Sequence, residues 1–199
     1  MYKKINEFAQ VISGYSFRKA LESTKDGSFY VLQASNVKAG EEIETLIGLA
    51  KISSKPSRST VCLESGDLVI VARGTGGGAF RSCVFINDEK DVIPSASVLI
   101  IRCLSKIILP EYLSLYLNSS EGQKQLAGNV MGSHIQSLST RLLGTLIEVP
   151  ILPIKDQEIM IALNKTVRKL ESIDSRKNQI RKQIFDSTLK IKIDYEKTF

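Results

Sequence analysis

The sequence has 199 residues, a hydrophobic content of 43% and a formal net charge of +6 at pH 7. That length suits one ordinary domain with a real core plus an appendage. No run reaches the ~18 apolar residues of a membrane span. The basic start Met1-Tyr2-Lys3-Lys4 lacks the apolar segment of a signal peptide. A cytoplasmic protein is expected. The positive charge permits a polyanionic partner without requiring one. Cys62, Cys83 and Cys103 have no paired spacing and lie in strand-like apolar runs. They read as buried free thiols in a reducing compartment.

In chain order, residues 1–13 form a short amphipathic segment with Ile5, Phe8, Val11 and Ile12 turned inward. The turn Ser13-Gly14-Tyr15-Ser16-Phe17-Arg18-Lys19 carries two aromatics and two cations. A strand is predicted over 28–34, followed by a polar turn ending in Gly40. The stretch 51–59 is polar, with Lys51, Lys55 and Arg58 as weak phosphate candidates, and Thr60 to Leu63 is a short strand candidate. Glu64-Ser65-Gly66-Asp67 turns into a buried strand, Leu68 to Ala72. Arg73-Gly74-Thr75-Gly76-Gly77-Gly78-Ala79-Phe80-Arg81-Ser82 follows, and Cys83 to Ile86 leaves it as a strand. Val98 to Cys103 is another. Pro110 opens a helix at the favoured first position, with a second helical piece from about Glu121 to Ala127. Residues 128–137 are a loop, Ser139 to Leu143 one helical turn, and Leu146 to Val149 the last strand. Strands come first and helices later. The body is predicted as a mixed α/β domain of α+β character rather than a repeat of βαβ units.

After Pro153 the sequence has no Pro or Gly. Leu163, Val167, Leu170, Ile173, Ile180, Ile184 and Ile191 recur at helical spacing and place one narrow apolar stripe on a long helix. Asp156 is its expected N-cap. Some forty residues make a rod of roughly 50–60 Å. The stripe is nearly a heptad seam, interrupted by Thr166, Lys177 and Ser187, and such interruptions set register and partner. Paired cations and interleaved carboxylates flank it, as on a coiled coil. The competing reading is a terminal helix packed on its own domain.

The chemistry of a catalyst is missing. The Gly-rich loop lacks the Gly-Lys-Ser/Thr ending of a phosphate-binding loop and has strands on both sides. One histidine, His134, and three scattered cysteines make no usual zinc site. No cofactor or metal is expected, and no catalytic residue is assigned. What remains suits a polyanion. Arg73 and Arg81 bracket a glycine loop that a phosphate backbone or a guanine edge could approach, with Thr75 and Ser82 beside them. Ser133, His134 and Gln136 are short hydrogen-bonding residues on another loop, and Gln can pair with adenine. Arg18 and Lys19 complete the candidate DNA contacts.

These residues resemble one half of the specificity subunit of a type I restriction–modification system. The resemblance runs through Gly14, the Tyr30-to-Gly40 strand and turn, and Gly66-Asp67-Leu68-Val69-Ile70 with Arg73-Gly74-Thr75. Its most specific part is Ile135 to Gln157, where a short Ser/Leu segment (Ser137, Leu138, Leu142) leads to Val149-Pro150-Ile151-Leu152-Pro153-Ile154-Lys155-Asp156-Gln157. That stretch is similar to the family's Pro-Leu-Pro-x-x-x-Gln junction, although Asp156 stands where Glu is usual. A usual specificity subunit has two recognition domains and two long helices, whereas this chain has one of each. The resemblance therefore implies a target recognition domain over 1–154 and a conserved-region helix over 155–199. It implies a non-catalytic subunit that acts as a dimer through antiparallel helix pairing. It would read a split inverted repeat in double-stranded DNA and direct adenine methylation and restriction. Its partners would be a DNA methyltransferase subunit and, through it, the restriction/motor subunit. The readings from other classes are a coiled-coil adaptor and a stand-alone DNA-binding dimer.

Overall fold

The structure is a computed structural model describing residues 1–17, 24, 26–56, 60–74, 79–88, 91–128 and 136–197, without the side chains of 136 and 191–197. In chain order the strands are β1 (Tyr2–Lys4), β2 (Ala9–Ser13), β3 (Phe29–Leu32), β4 (Glu42–Ile43), β5 (Ala50–Ile52), β6 (Leu68–Val71), β7 (Arg73–Gly74), β8 (Ser82–Phe85), β9 (Val92–Pro94), β10 (Val98–Cys103), β11 (Gln136–Ser137) and β12 (Glu148–Pro150). The helices are α1 (Pro110–Asn118), α2 (Ser120–Gly128), α3 (Thr140–Leu146) and α4 (Ile154–Lys197). The chain divides into two units, Met1–Gln157 and Glu158–Phe199.

The first unit is the mixed body that the sequence implies. Leu68-Val69-Ile70-Val71 is apolar without alternation because β6 is the middle of a five-stranded sheet, β2-β10-β6-β8-β4, and all four of its residues are buried. A strand covered on both faces reads as a continuous apolar run. On one face Val69, Val71, Cys83, Phe85, Val98 and Ile100 share a core with Leu32, Val37, Leu63 and Val92. Leu32 and Val92 belong to a second sheet, β5-β3-β9. Helix α1 packs on β8 and β6. Small sheet, large sheet and helix make three layers.

Polar ties hold these layers in register. Asn118 mimics a strand partner for Ser82, accepting from its N–H at 3.0 Å and donating to its carbonyl at 2.9 Å. Arg102 donates from Nε and Nη2 to the two oxygens of Asp67 at 2.8 and 2.7 Å, and Asp67 is 2% exposed. This fork pins the Glu64–Asp67 turn, where Gly66 sits at φ +93°, and the Asp67 carboxylate raises the pKa of the guanidinium. Gly14 passes so close to the Ser95 carbonyl that no side chain fits there.

Several sequence expectations change. Residues 1–13 are two strands separated by a turn of 3₁₀ helix, Ile5–Glu7. Ile5 and Phe8 are buried as expected, whereas Val11 and Ile12 are only half-buried. Thr60 to Leu63 is not a strand, although the Leu63 N–H donates to Val92 O at 2.8 Å. Asp156 does not cap α4. The helix begins at Ile154, and the Pro153 carbonyl accepts from the N–H groups of Asp156 and Gln157.

Burial also makes an alkaline prediction. Burial raises the pKa of the Cys83 thiol to about 12 and that of Cys103 to about 11. Burial likewise raises that of the Tyr116 hydroxyl to about 12. Each keeps its proton in the folded chain where the unfolded chain has lost it. The folded state then binds more protons, so stability falls as pH rises. The loss should begin near the ordinary thiol value of about 8.5. The urea midpoint is expected to drop steadily above that pH and to drop less in Cys83→Ser. A flat midpoint would contradict the buried placement.

Candidate nucleic-acid interface and helical seam

The candidate DNA residues are scattered in sequence, but the chain segments that carry them start from one place. Strands β2, β3 and β6 end there, and β10 begins there. The turn Ser95-Ala96-Ser97 sits at its centre. Tyr15 donates to Pro94 O at 2.7 Å and accepts from Ala96 N at 2.8 Å. Ser97 O accepts from Ala72 N at 2.8 Å, and Ser97 Oγ accepts from Ala34 N at 3.0 Å. The hydroxyls of Ser95 and Ser97 are 2.7 Å apart. Tyr15 leads through its edge-on partner Phe17 towards 18–19, and Ala72 leads to Arg73 and the glycine loop.

The second loop joins the first directly. Strands β7 and β11 form an antiparallel ribbon with Gln136 opposite Gly74 and Ser137 opposite Arg73. Below it Leu138 donates to Ala72 O at 2.8 Å. The segments 75–78 and 129–135 therefore spring from one two-residue ladder. Arg73 and Ser137, opposite one another, are both exposed. At the far end of the glycine loop Arg81 O accepts from Val71 N at 2.9 Å. The Arg81 side chain is exposed, yet its Nε donates to Val37 O at 3.2 Å and its Nη2 reaches Ala34 O at 3.5 Å. It ties the loop root to the 34–37 turn.

Of the sequence candidates, Arg73 and Arg81 stand at this end of the sheet. Ser82 does not belong in the site. It is fully buried, and its hydroxyl faces Ser114 and Asn118, because β8 starts at Ser82 and the strand turns that side chain inward. Arg18, Lys19, Thr75, Ser133 and His134 lie outside the described residues, as do the Gln136 side chain and Arg58. Lys51 lies in β5 rather than in a loop, with Nζ 5.0 Å from the Tyr30 ring centroid. The sequence reading missed the Ser95–Ser97 hub. Its only signal was a short polar pair between two apolar runs.

The second unit is helical. α4 has 44 residues, about 66 Å at the usual rise. Leu163 is 63% exposed, Leu170 58%, Ile173 53%, Ile180 45% and Ile184 61%. Val167 is exposed as well, and Ile159, four residues before Leu163, extends the stripe towards the N-terminus. The side chain of Ile191 is not among those described. An apolar row this long and this exposed is the feature that calls for another helix.

Just before it, Gln157 is fully buried. Its Oε1 accepts from Leu109 N at 2.9 Å, and its Nε2 donates to Ile107 O at 2.9 Å and Leu152 O at 2.8 Å. β12 is held along both edges. One pairs with β1. On the other, Tyr112 donates to Pro150 O at 2.9 Å and Tyr116 to Glu148 O at 3.0 Å.

Among the described residues no group of three His, Cys, Asp or Glu could hold a metal ion, and no helix is long and apolar enough to cross a membrane. Loop bases tied together at one end of a sheet and an exposed apolar helical row are features of a recognition module. The chain belongs to the type I restriction modification DNA specificity domain family, whose model matches residues 1–182.

Solved structures share the fold. One, described as the structural basis of complex assembly and conformational transition of the type I R-M system, matches with TM-score 0.58 at 13% identity, over 85% of this chain and 38% of that one. The S subunit of a type I restriction-modification system from M. genitalium matches with TM-score 0.51 at 16% identity, over 88% and 41%. The HsdS subunit from Thermoanaerobacter tengcongensis matches with TM-score 0.54 at 13% identity, over 85% and 37%. The chain thus spans about two fifths of the length of the structures it resembles. No curated protein matches it.

Proposed function

We propose that the chain is a DNA-reading half-unit of a type I specificity subunit. In this reading residues 1–154 are the target recognition domain, and 155–199 the helix that pairs copies and docks the methyltransferase subunit. Two copies join antiparallel through α4 and read the two halves of a split inverted repeat. A two-fold pair of identical readers has a two-fold target. Methylation of adenine and restriction belong to the partner subunits. The observation that carries the reading is that Tyr15 and Ala72 are both hydrogen-bonded to the Ser95–Ser97 turn region, and Leu138 to Ala72, which brings the chain positions preceding or following the candidate segments to one end of the sheet.

Arg73 supplies the test. It stands on the β7–β11 ladder at the root of two loops, where a guanidinium can reach a guanine edge or a phosphate. Arg73→Ala is expected to weaken binding to duplexes selected from a randomised pool by roughly 1–3 kcal/mol if it reads a base, and to lower the salt slope by about one if it meets a phosphate. Affinity and salt slope both unchanged would remove the ribbon from the interface. Co-purification of a methyltransferase subunit separates this reading from an adaptor or a free-standing DNA-binding dimer.

A further inference from the structure

The seam on α4 carries enough information to choose one alignment. Its core positions in the described helix are Ile159, Leu163, Thr166, Leu170, Ile173, Lys177, Ile180, Ile184 and Ser187, and all are exposed. In an antiparallel pair, each residue of one heptad set (Leu163, Leu170, Lys177, Ile184) packs beside one of the other set (Ile159, Thr166, Ile173, Ile180, Ser187) on the second helix. Sliding one copy past the other by whole heptads changes every pairing.

In one alignment Leu163 meets Ile180, Leu170 meets Ile173, Ile184 meets Ile159, and Lys177 meets Thr166. Every apolar core position from Ile159 to Ile184 then has an apolar partner, and the two polar ones face each other. The Lys177 stem can lie along the seam with its ammonium in water. A slip of one heptad one way sets Leu163 against Ser187, Lys177 against Ile173 and Ile184 against Thr166. A slip the other way sets Leu170 against Thr166 and Lys177 against Ile159. A three-heptad slip pairs Lys177 with Ser187, but it sets Leu170 against an acidic position of the sequence, Asp194. Interruptions in a seam act as register markers for this reason.

We infer that two copies of this chain pair antiparallel in that single register, with the two-fold axis between Glu171 and Ser172. The occupant of the seam is a second copy because the pattern is complementary to itself when reversed. This inference rests on the pairing proposed above and adds its alignment. It also sets a length: the two Gln157 residues, each at the root of its helix, stand about 44 Å apart along the pair axis. That is close to 13 base pairs of duplex at 3.4 Å each. The register has one unfavourable flank, where Lys169 lies beside Arg176 of the second copy. Added salt screens that repulsion, so the dimer is expected to tighten as salt rises.

Spin-label distances in the full-length chain test the alignment. Labels are placed singly at Lys165→Cys and at Asp186→Cys, both off the seam, with Cys62 and Cys103 replaced by Ser. Axial separations of about 20 Å for the first and about 44 Å for the second are expected. A one-heptad slip moves the two in opposite directions by about 10 Å each, and parallel pairing makes both short. A dimer with slipped or parallel distances overturns the register and leaves self-pairing intact. A monomer by light scattering, for both labelled chains and the unlabelled protein, overturns the pairing and the register together.

Discussion

The double substitution Ile173→Asp with Ile180→Asp is expected to convert the proposed dimer to monomers in light scattering, with the dissociation constant raised at least about a hundredfold. Both side chains stand uncovered on α4, at 53% and 45% exposure. In the lone helix a carboxylate at either place stays in water and costs little. In the paired helix it must enter a closed apolar seam, where an unpaired charge is expensive. Two substitutions per chain place four carboxylates in one seam. The expected signature is loss of association with the helicity and melting of the body unchanged, since the first unit ends at Gln157. An unaltered dimer would mean that this row of residues does not hold copies together.

Gln157→Leu is expected to lower the stability of the first unit by about 2–4 kcal/mol, because three part-buried backbone groups lose their partner at once. For a unit of this size that corresponds to a fall of roughly 5–15 °C in melting temperature. The leucine fills a similar volume, so the effect isolates hydrogen bonding from packing. The stranded groups are the Leu109 N–H and the carbonyls of Ile107 and Leu152. The first lies at the entrance to α1 and the last just before α4, so two helix entries should loosen together. Hydrogen exchange at the Leu109 amide reads this directly. Normal protection there, with a melting temperature within a degree or so of the parent, would show that water replaces the glutamine at no cost.

The elements legible in sequence were those whose own residues carry the pattern. β6, β8 and β10 appear as apolar runs because both faces of the large sheet are covered. Pro110 marks α1, and the helix after Pro153 announces itself through periodicity over 44 residues. The elements that stayed hidden are short and owe their existence to distant partners. β4 is two residues long and pairs parallel with β8, and β9 is three residues long and pairs parallel with β3. Strands that brief have no period to detect. The β7–β11 ladder was hidden for the same reason.

The candidate site was half legible. Residue types alone pointed to Arg73 and Arg81, but nothing local says that residues near 15, 34, 72 and 97 meet. Ser82 was misplaced because it follows Arg81 in sequence, and alternation along a strand sends neighbours to opposite faces. Asp156 was misplaced because its residue type suits an N-cap, whereas helix geometry is already possible immediately after Pro153.

The small ladder joining Arg73–Gly74 to Gln136–Ser137 has a consequence for how such a protein can be altered. The residues at the bases of both segments are fastened to one another and, through Ala72, to the sheet. New binding preferences could be grafted by exchanging 75–78 and 129–135 as a matched set. The scaffold would keep its folding energy while the surface it presents is rewritten.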